Sequence, residues 1–188
     1  MEEKFKYLDH MTDLIVEAYG HSLQELLENS ALGLINAMFD TSNIELNHTI
    51  KISAQGHDFK SLLYDWLEKI ILSIYIDKMI VARFNSFSFS KIIKTNNNNN
   101  TINNDETKAK NSKEMELVVN GLKLYEDANR SDSIEDNSIY KIECVGKGDI
   151  IDLRKHEYKV EVKSITYHEM EIKRTQTGYY TARFLVDL

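Results

Sequence analysis

The sequence lacks proline and contains one cysteine, Cys144, among its 188 residues. A single cysteine excludes a disulfide within the chain and a zinc site built mainly from cysteines, and it agrees with a reducing compartment. We expect Cys144 to lie in the core. The absence of proline does not indicate any particular function.

Long hydrophobic runs are also absent. The longest apolar segment, residues 70–76, is far too short to span a bilayer, and no apolar stretch follows a basic leader near the first residue. We therefore expect a soluble protein that is cytoplasmic and also nuclear where the cell has a nucleus.

Positive charge is scarce, because the sequence has 23 Lys and Arg but 30 Asp and Glu residues, which gives a net charge of −7. Direct binding to a phosphate backbone needs a surplus of basic side chains on one face, so the balance argues against a nucleic-acid-binding protein. Any role in RNA metabolism is then expected to work through a protein partner.

Familiar catalytic motifs are missing as well. The sequence has no glycine-rich phosphate loop, no nucleophile elbow and no helix motif with paired histidines. The absence of these motifs argues against an autonomous enzyme without excluding one.

The 42% of hydrophobic residues are enough for one domain spanning residues 1–188. Ser22 and Glu25 form a capping box before apolar residues at helical spacing, and a second apolar stripe predicts a helix from Asp58 to about Asp77. Strict alternation over residues 44–54 predicts a strand with one buried face.

Short β-rich segments fill much of the remaining chain. They are residues 14–19, 79–93, 115–126, 140–145, 158–162, 165–172 and 180–187, with a helical turn expected over residues 152–156. An Asn-rich, low-complexity insertion at residues 94–113 and a polar, acidic insertion at residues 127–138 are expected to interrupt one sheet, and both are expected to be disordered loops. The pattern predicts an α+β fold in which two amphipathic helices pack on a mostly antiparallel or mixed β-sheet.

Carboxylates stand at both ends of this pattern. Asp187 and Leu188 close one strand-like run, and an acidic loop, residues 9–13, precedes another. If the fold brings them together, the carboxylates repel one another, so the group needs protons, a basic partner or a metal ion.

Two other groups allow more than one interpretation. His10 and Asp13, echoed by His168 and Glu171, have the residue types of a His/carboxylate metal site, although neighbouring surface residues give the same spacing by chance. The stretch from Lys163 to His168 mixes an amine, hydroxyls and an imidazole, and taken alone it also fits a solvated strand.

Several stretches together resemble the archease family over nearly the whole chain apart from the two insertions. They are Tyr7-Leu8-Asp9-His10 with Asp13, Ala18-Tyr19-Gly20, Gln55-Gly56, Ser61-Leu62-Leu63-Tyr64-Asp65-Trp66-Leu67, Gly146-Lys147-Gly148-Asp149, Val162-Lys163-Ser164-Ile165-Thr166-Tyr167-His168-Glu169-Met170 and Leu185-Val186-Asp187-Leu188. One departure is His10-Met11-Thr12-Asp13, where the family usually reads His-Thr-Ala-Asp.

The resemblance implies a non-catalytic protein that assists the tRNA-splicing RNA ligase, promoting guanylation of the ligase and its multiple turnover in tRNA splicing. It also implies a bound divalent cation, commonly calcium, held here by Asp13, Asp187 and an oxygen of Leu188. Calcium takes six to eight oxygen ligands, so three protein residues would leave positions for water or the partner. Further residues that match the family motif are expected to support the metal or face the partner, and they are Asp9, His10, Lys163, Thr166, Tyr167 and His168.

Two alternatives remain open at this point. A stand-alone metal-dependent hydrolase would use the same carboxylates with His10 or His168 as base, since carboxylates and a divalent ion can activate water. A general chaperone or interaction module would use its acidic surface to attract basic partners.

Overall fold

The structure, a computed structural model, describes residues 3–10, 13–96, 112–120 and 138–188. Its helices and strands, in chain order, are β1 (Phe5–His10), β2 (Asp13–Gly20), α1 (Leu23–Met38), β3 (His48–Gly56), α2 (Phe59–Tyr75), β4 (Met79–Asn96), β5 (Ser112–Val119), β6 (Ser138–Ile150), β7 (Ser164–Arg174) and β8 (Tyr180–Asp187). No helix in these ranges is long and apolar enough to cross a membrane.

The strands form two antiparallel sheets of four strands each. One sheet has the order β1-β2-β8-β7 and the other β3-β6-β4-β5. The predicted α+β class and the expectation that both insertions interrupt one sheet are confirmed, although the strands form two sheets instead of one. Both insertions join strands of the second sheet, since they lie between β4 and β5 and between β5 and β6.

One hydrophobic core links the two sheets through the helices. Helix α1 packs on β2 and α2 packs on β3, while each helix also contacts strands of the other sheet. Trp66 of α2 is fully buried, donates a hydrogen bond from its indole N–H to the Leu27 carbonyl of α1 at 3.1 Å, and packs against Phe84 of β4. Cys144 is buried, as predicted.

Both helices start at capped N-termini directly after a strand that ends in glycine. Ser22 accepts a hydrogen bond from the Glu25 N–H, and Asp58 accepts one from the Ser61 N–H. A Cβ at Gly56 would lie 2.3 Å from the Leu62 nitrogen, so only glycine allows this close approach of strand and helix.

Several predicted boundaries need correction. Residues 9 and 10 are not loop but the last residues of β1, and Asp13 is the first residue of β2. The strand predicted at residues 44–54 begins only at His48. The backbone of residues 94–96 and 112–113, expected in an insertion, pairs within β4 and β5. The remaining insertion residues, 97–111 and 127–137, lie outside the described ranges, as do residues 121–126 of a predicted strand.

The strand predicted at residues 158–162 is also absent from the two sheets. This segment makes a single bridge, from Tyr158 to Phe39, and its Lys159 N–H bonds the Met38 carbonyl at the end of α1. The preceding turn is present as predicted, with the His156 N–H bonded to the Asp152 carbonyl at 2.8 Å. The alternating sequence therefore pairs with the end of α1 and with Phe39 and joins neither sheet.

Candidate functional site

A row of polar residues crosses one end of the first sheet. The strand register places His10 opposite Asp13, Asp13 opposite Asp187, and Asp187 opposite Ser164. Residues directly opposite each other on antiparallel strands have Cβ atoms about 5 Å apart and point to the same face. Asp13 and Asp187 are therefore neighbouring carboxylates, and both are partly exposed.

An apolar pair lies beside these carboxylates on the same face. Ile15 and Leu185 are opposite each other in β2 and β8, two residues away from Asp13 and Asp187, and they are 3% and 4% exposed. Residues two apart along a strand share a face. The carboxylate pair thus borders a dry apolar surface on one side, which strengthens any electrostatic interaction that it makes.

Lys163 brings a positive charge to the same end of the sheet. Its N–H donates to the Asp187 carbonyl at 2.9 Å, and its Nζ donates to the main-chain oxygen of Leu188 at 2.5 Å. The buried neighbours Val162 and Ile165 anchor the segment on either side of this exposed lysine. Asp13, Asp187, Leu188 and Lys163 are therefore brought together.

The oxygen atoms in this place suit a hard cation. Two carboxylates and a main-chain oxygen are ligands that calcium prefers. Within the ranges that the structure describes, no group of three or more His, Cys, Asp or Glu residues is arranged to hold a metal. A cation at this position would accordingly need further oxygen ligands from water or from another molecule.

The prediction of one metal site formed by His10, Asp13, His168 and Glu171 is wrong. Glu171 is paired with Arg183 of β8, which is paired with Glu17 of β2. Glu17 is four residues from Asp13 along the strand, a distance of about 13 Å. Glu171 and Asp13 therefore cannot share one metal ion.

An irregularity in β7 separates the rest of the predicted motif from this row. Thr166 pairs with Leu185 and Glu171 pairs with Arg183, so four residues of β7 face a single residue of β8. Glu169 has a positive φ of 54°, and the His168 N–H bonds the Thr166 hydroxyl at 2.8 Å. Such bulges redirect side chains.

The bulge directs Tyr167 towards α2. Its ring stacks on that of Tyr64, with centroids 4.4 Å apart and an angle of 10° between the ring planes. Burial first, and then the negative charges of neighbouring carboxylates, raise the pKa of Tyr167. Of the partner-facing residues predicted from sequence, Lys163 joins the carboxylates, Thr166 holds the bulge, and Tyr167 lies against the helix.

The two remaining predicted residues lie on either side of this arrangement. His168 is exposed in the bulge. The backbone of Asp9 is paired with that of Leu14 in the β1–β2 hairpin, one position before His10. Met11 and Thr12, where the sequence departs from the usual family motif, lie outside the described residues.

A buried carboxylate, Asp149, lies near the end of β6. Lys155 Nζ contacts it at 2.9 Å and is the main cause of its lowered pKa. Two imidazoles flank it, with His48 Nδ1 at 3.4 Å and His156 Nε2 at 3.6 Å. Through these contacts Asp149 ties the 152–156 turn to the second sheet.

Comparison with known proteins identifies the family. A family model described as the archease protein family matches residues 5–118 and 116–188, which together span nearly the whole chain. The chain belongs to the archease family. The resemblance drawn from the sequence motifs is thereby confirmed.

Individual archeases are similar over nearly their full length. Protein archease of Sulfolobus acidocaldarius is 30% identical over 98% of this chain and 99% of its own, and that of Sulfurisphaera tokodaii is 29% identical over 99% of both chains. Protein archease of Danio rerio is 28% identical over 93% of this chain and 80% of its own. The similarity thus extends to a vertebrate.

A solved structure has the same fold. The solution structure of Methanobacterium thermoautotrophicum protein 1598 matches with a TM-score of 0.59 and 24% identity, over 98% of this chain and 99% of that one. Its likeness supports the arrangement of two helices and two antiparallel sheets.

Sequence reasoning missed the residues that face Tyr167 in this archease. Tyr64 and Asp65 stand in a stretch that matches the family, but nothing local indicates that they border the β7 motif. With Glu68 and His57 they line a groove of about 570 Å³ beside Tyr167. The periodic apolar face of α2 indicated its buried side, and the groove lies on the opposite side.

Proposed function

We propose that this archease is a non-catalytic, metal-binding activator of the tRNA-splicing RNA ligase. It promotes guanylation of the ligase and its multiple turnover, and its site takes a divalent cation, calcium, on Asp13, Asp187 and the oxygen of Leu188. Family membership supports the general role. The observation that carries the site is the cross-strand pairing of Asp13 with Asp187.

The pairing of two carboxylates favours a cation because like charges directly opposite in a sheet destabilise it. One ammonium group, that of Lys163, is already close, but its hydrogen bond goes to the Leu188 oxygen. A divalent cation, when bound, supplies the positive charge that offsets both carboxylates. Its remaining ligand positions would be available to water or to a group of the ligase.

Lys163 has a separate role in this proposal. Its two hydrogen bonds fix the main-chain oxygens of Asp187 and Leu188 relative to β7. The lysine thereby orients the end of β8, so that the carboxylate and the main-chain oxygen approach a cation from one side. Lys163 is a positioning residue for the site.

The test compares ligase stimulation by isosteric variants. Asp13→Asn and Asp187→Asn keep side-chain shape and remove the charge, so both should fold while stimulation of multiple-turnover ligation falls about tenfold or more. Glu161→Gln is the matched control, because Glu161 is an exposed carboxylate outside this row. Unchanged stimulation by both Asn variants would refute the metal-site role.

The same assay separates this proposal from a stand-alone hydrolase. The purified protein is incubated with calcium and RNA ends bearing a 2′,3′-cyclic phosphate, without ligase. We expect no turnover of the RNA under these conditions. Product formation without ligase would contradict the non-catalytic role.

A further inference from the structure

The groove beside Tyr167 combines an open aromatic surface with acidic walls. It lies between the first turns of α2 and the β7 bulge, and its volume is about 570 Å³. Tyr167 is 47% exposed although one face of its ring stacks on Tyr64. Tyr167 therefore keeps exposed area that the stacking on Tyr64 leaves uncovered, and it contributes to the lining of the groove.

Asp65 and Glu68 line this groove and Asp58 lies near it, and these acidic side chains differ in the partners that they already have. Asp65 accepts a hydrogen bond from the Gln55 N–H at 2.8 Å and pairs with Lys69 at 3.3 Å. Asp58 caps the helix through the Ser61 N–H. Glu68, half-buried in the groove wall, makes no hydrogen bond or ion pair with any residue that the structure describes.

The negative charge reaches the tyrosine pair. After burial, the causes that raise the pKa of Tyr167 include the charges of Asp58, Asp65 and Glu68. A ligand for this place needs a flat surface to lie on a tyrosine ring and a positive charge to pair with a carboxylate. A guanidinium group meets both needs, because it is planar, always charged and stacks on aromatic rings.

We propose that this groove receives an arginine side chain of the protein partner, whose guanidinium lies on the uncovered face of Tyr167 and pairs with Glu68. That the partner is the RNA ligase rests on the function proposed above. A nucleotide base would also stack on tyrosine, but its phosphate would face the carboxylates. The chain's net charge of −7 disfavours nucleic acid further.

The groove and the carboxylate row belong to one continuous stretch of the chain. Ser164 stands opposite Asp187 in the row, and Tyr167 follows three residues later in the groove. A partner that contributes ligands to the cation would therefore pass close to the groove. Arginine docking here would fix the orientation of the partner.

A direct test uses a capped Gly-Arg-Gly peptide, titrated into the labelled protein and followed by NMR. The matched probe is the same peptide with citrulline, which keeps the shape of arginine but lacks its charge. We expect the arginine peptide to shift the signals of Tyr64, Tyr167 and Glu68, with little effect of the citrulline peptide. Equal shifts with both peptides, or no shifts in the groove, would overturn the proposal.

Variants test the two named contacts. Glu68→Gln should weaken binding of the arginine peptide about threefold, the scale of one partly exposed ion pair. Tyr167→Ala should weaken it further, whereas Tyr167→Phe keeps a ring face and should retain binding. Glu28→Gln removes a half-buried carboxylate from α1 outside the groove, and it should leave binding unchanged.

The outcome is independent of whether the ligase is the partner. Peptide binding that matches these expectations supports the groove even if ligase stimulation is absent, in which case only the proposed function fails. Glu68→Gln binding the arginine peptide as well as the natural protein does would overturn the groove assignment while leaving the metal-site role intact.

Discussion

At the scale of single residues, the most informative pair is Asp13 and Asp187. Neither residue was singled out by a motif with known ligand spacing. Each stands at the boundary of a β-rich run, and the antiparallel register of β2 and β8 makes them direct neighbours. Two charges of the same sign in that position cost stability, which is the cost that the proposed cation would offset.

This cost predicts opposite effects of one substitution in the presence and absence of metal. Without divalent ions, Asp187→Asn relieves the repulsion and should leave the free energy of unfolding unchanged or raise it by up to about 1 kcal/mol. Calcium in excess should stabilise the natural protein, by about 2.7 kcal/mol at a hundred times the dissociation constant, and should stabilise the variant much less.

Urea unfolding in EDTA and in calcium measures both effects. The control is Glu161→Gln, in which calcium should stabilise the protein as much as it does the natural sequence. A natural protein whose urea midpoint is the same in EDTA and in calcium would contradict binding at this site.

At the scale of elements, the chain uses the same local unit twice. Strand β2 ends in Gly20 and is followed by His21-Ser22 and α1, and strand β3 ends in Gly56 and is followed by His57-Asp58 and α2. In both units the glycine lets the strand end pack against the first helical turn. The two units belong to different sheets, and their helices contact each other in the core.

The cap of the second unit positions one wall of the groove. Asp58 and Ser61 form a reciprocal capping box, in which the Ser61 N–H donates to Asp58 Oδ1 at 2.6 Å and the Asp58 N–H donates to Ser61 Oγ at 3.1 Å. Asp58→Ala should lower the free energy of unfolding by about 1 kcal/mol, because a helix N–H loses its acceptor. Asp58→Asn keeps an acceptor and should cost less.

Chemical denaturation of the two variants checks this expectation. Ser22→Ala offers the comparison at the start of α1, where the Glu25 N–H loses its acceptor in the same way. An Asp58→Ala variant as stable as the natural protein would show that tertiary packing alone holds the first turn of α2.

At the scale of the whole molecule, local patterns predicted the elements better than their assembly. The starts of both helices follow from capping residues and from the 3.6-residue apolar period, which depend only on neighbours in sequence. The division of the strands between two sheets depends on non-local pairing, which single segments do not encode. Alternation at residues 158–162 predicted a strand, yet no sheet edge accepts it.

The candidate site likewise has one part that local sequence patterns predict and one part that they do not. Asp13 and Asp187 were predictable because each borders a recognisable strand and the family motifs include both. The contact of Tyr167 with Tyr64 was not, because it depends on the bulge that places four residues of β7 opposite one of β8. A bulge has no sequence signal here as strong as alternation or helical spacing.

The connection between β4 and β5 gives the last prediction. Asn96 and Ser112 are partners at the end of the β4–β5 pair, so residues 97–111 join two positions that are already adjacent. Replacing them with Asn-Gly, a two-residue turn suited to antiparallel strands, should preserve the pairing. Closing a shorter loop costs less entropy, about 0.6 kcal/mol less for each halving, so the free energy of unfolding should stay the same or rise.

Urea unfolding and ligase stimulation should both be measured on this variant. Stimulation should equal that of the natural protein, because the carboxylate row lies on the other sheet and the groove is bordered by α2, β3, β7 and Ile139 of β6, with no residue of β4 or β5 in its described lining. A control variant with a flexible Gly/Ser segment of the original length separates the effect of length from that of sequence. Full stability with lost stimulation in both variants would show that the Asn-rich sequence itself contacts the ligase.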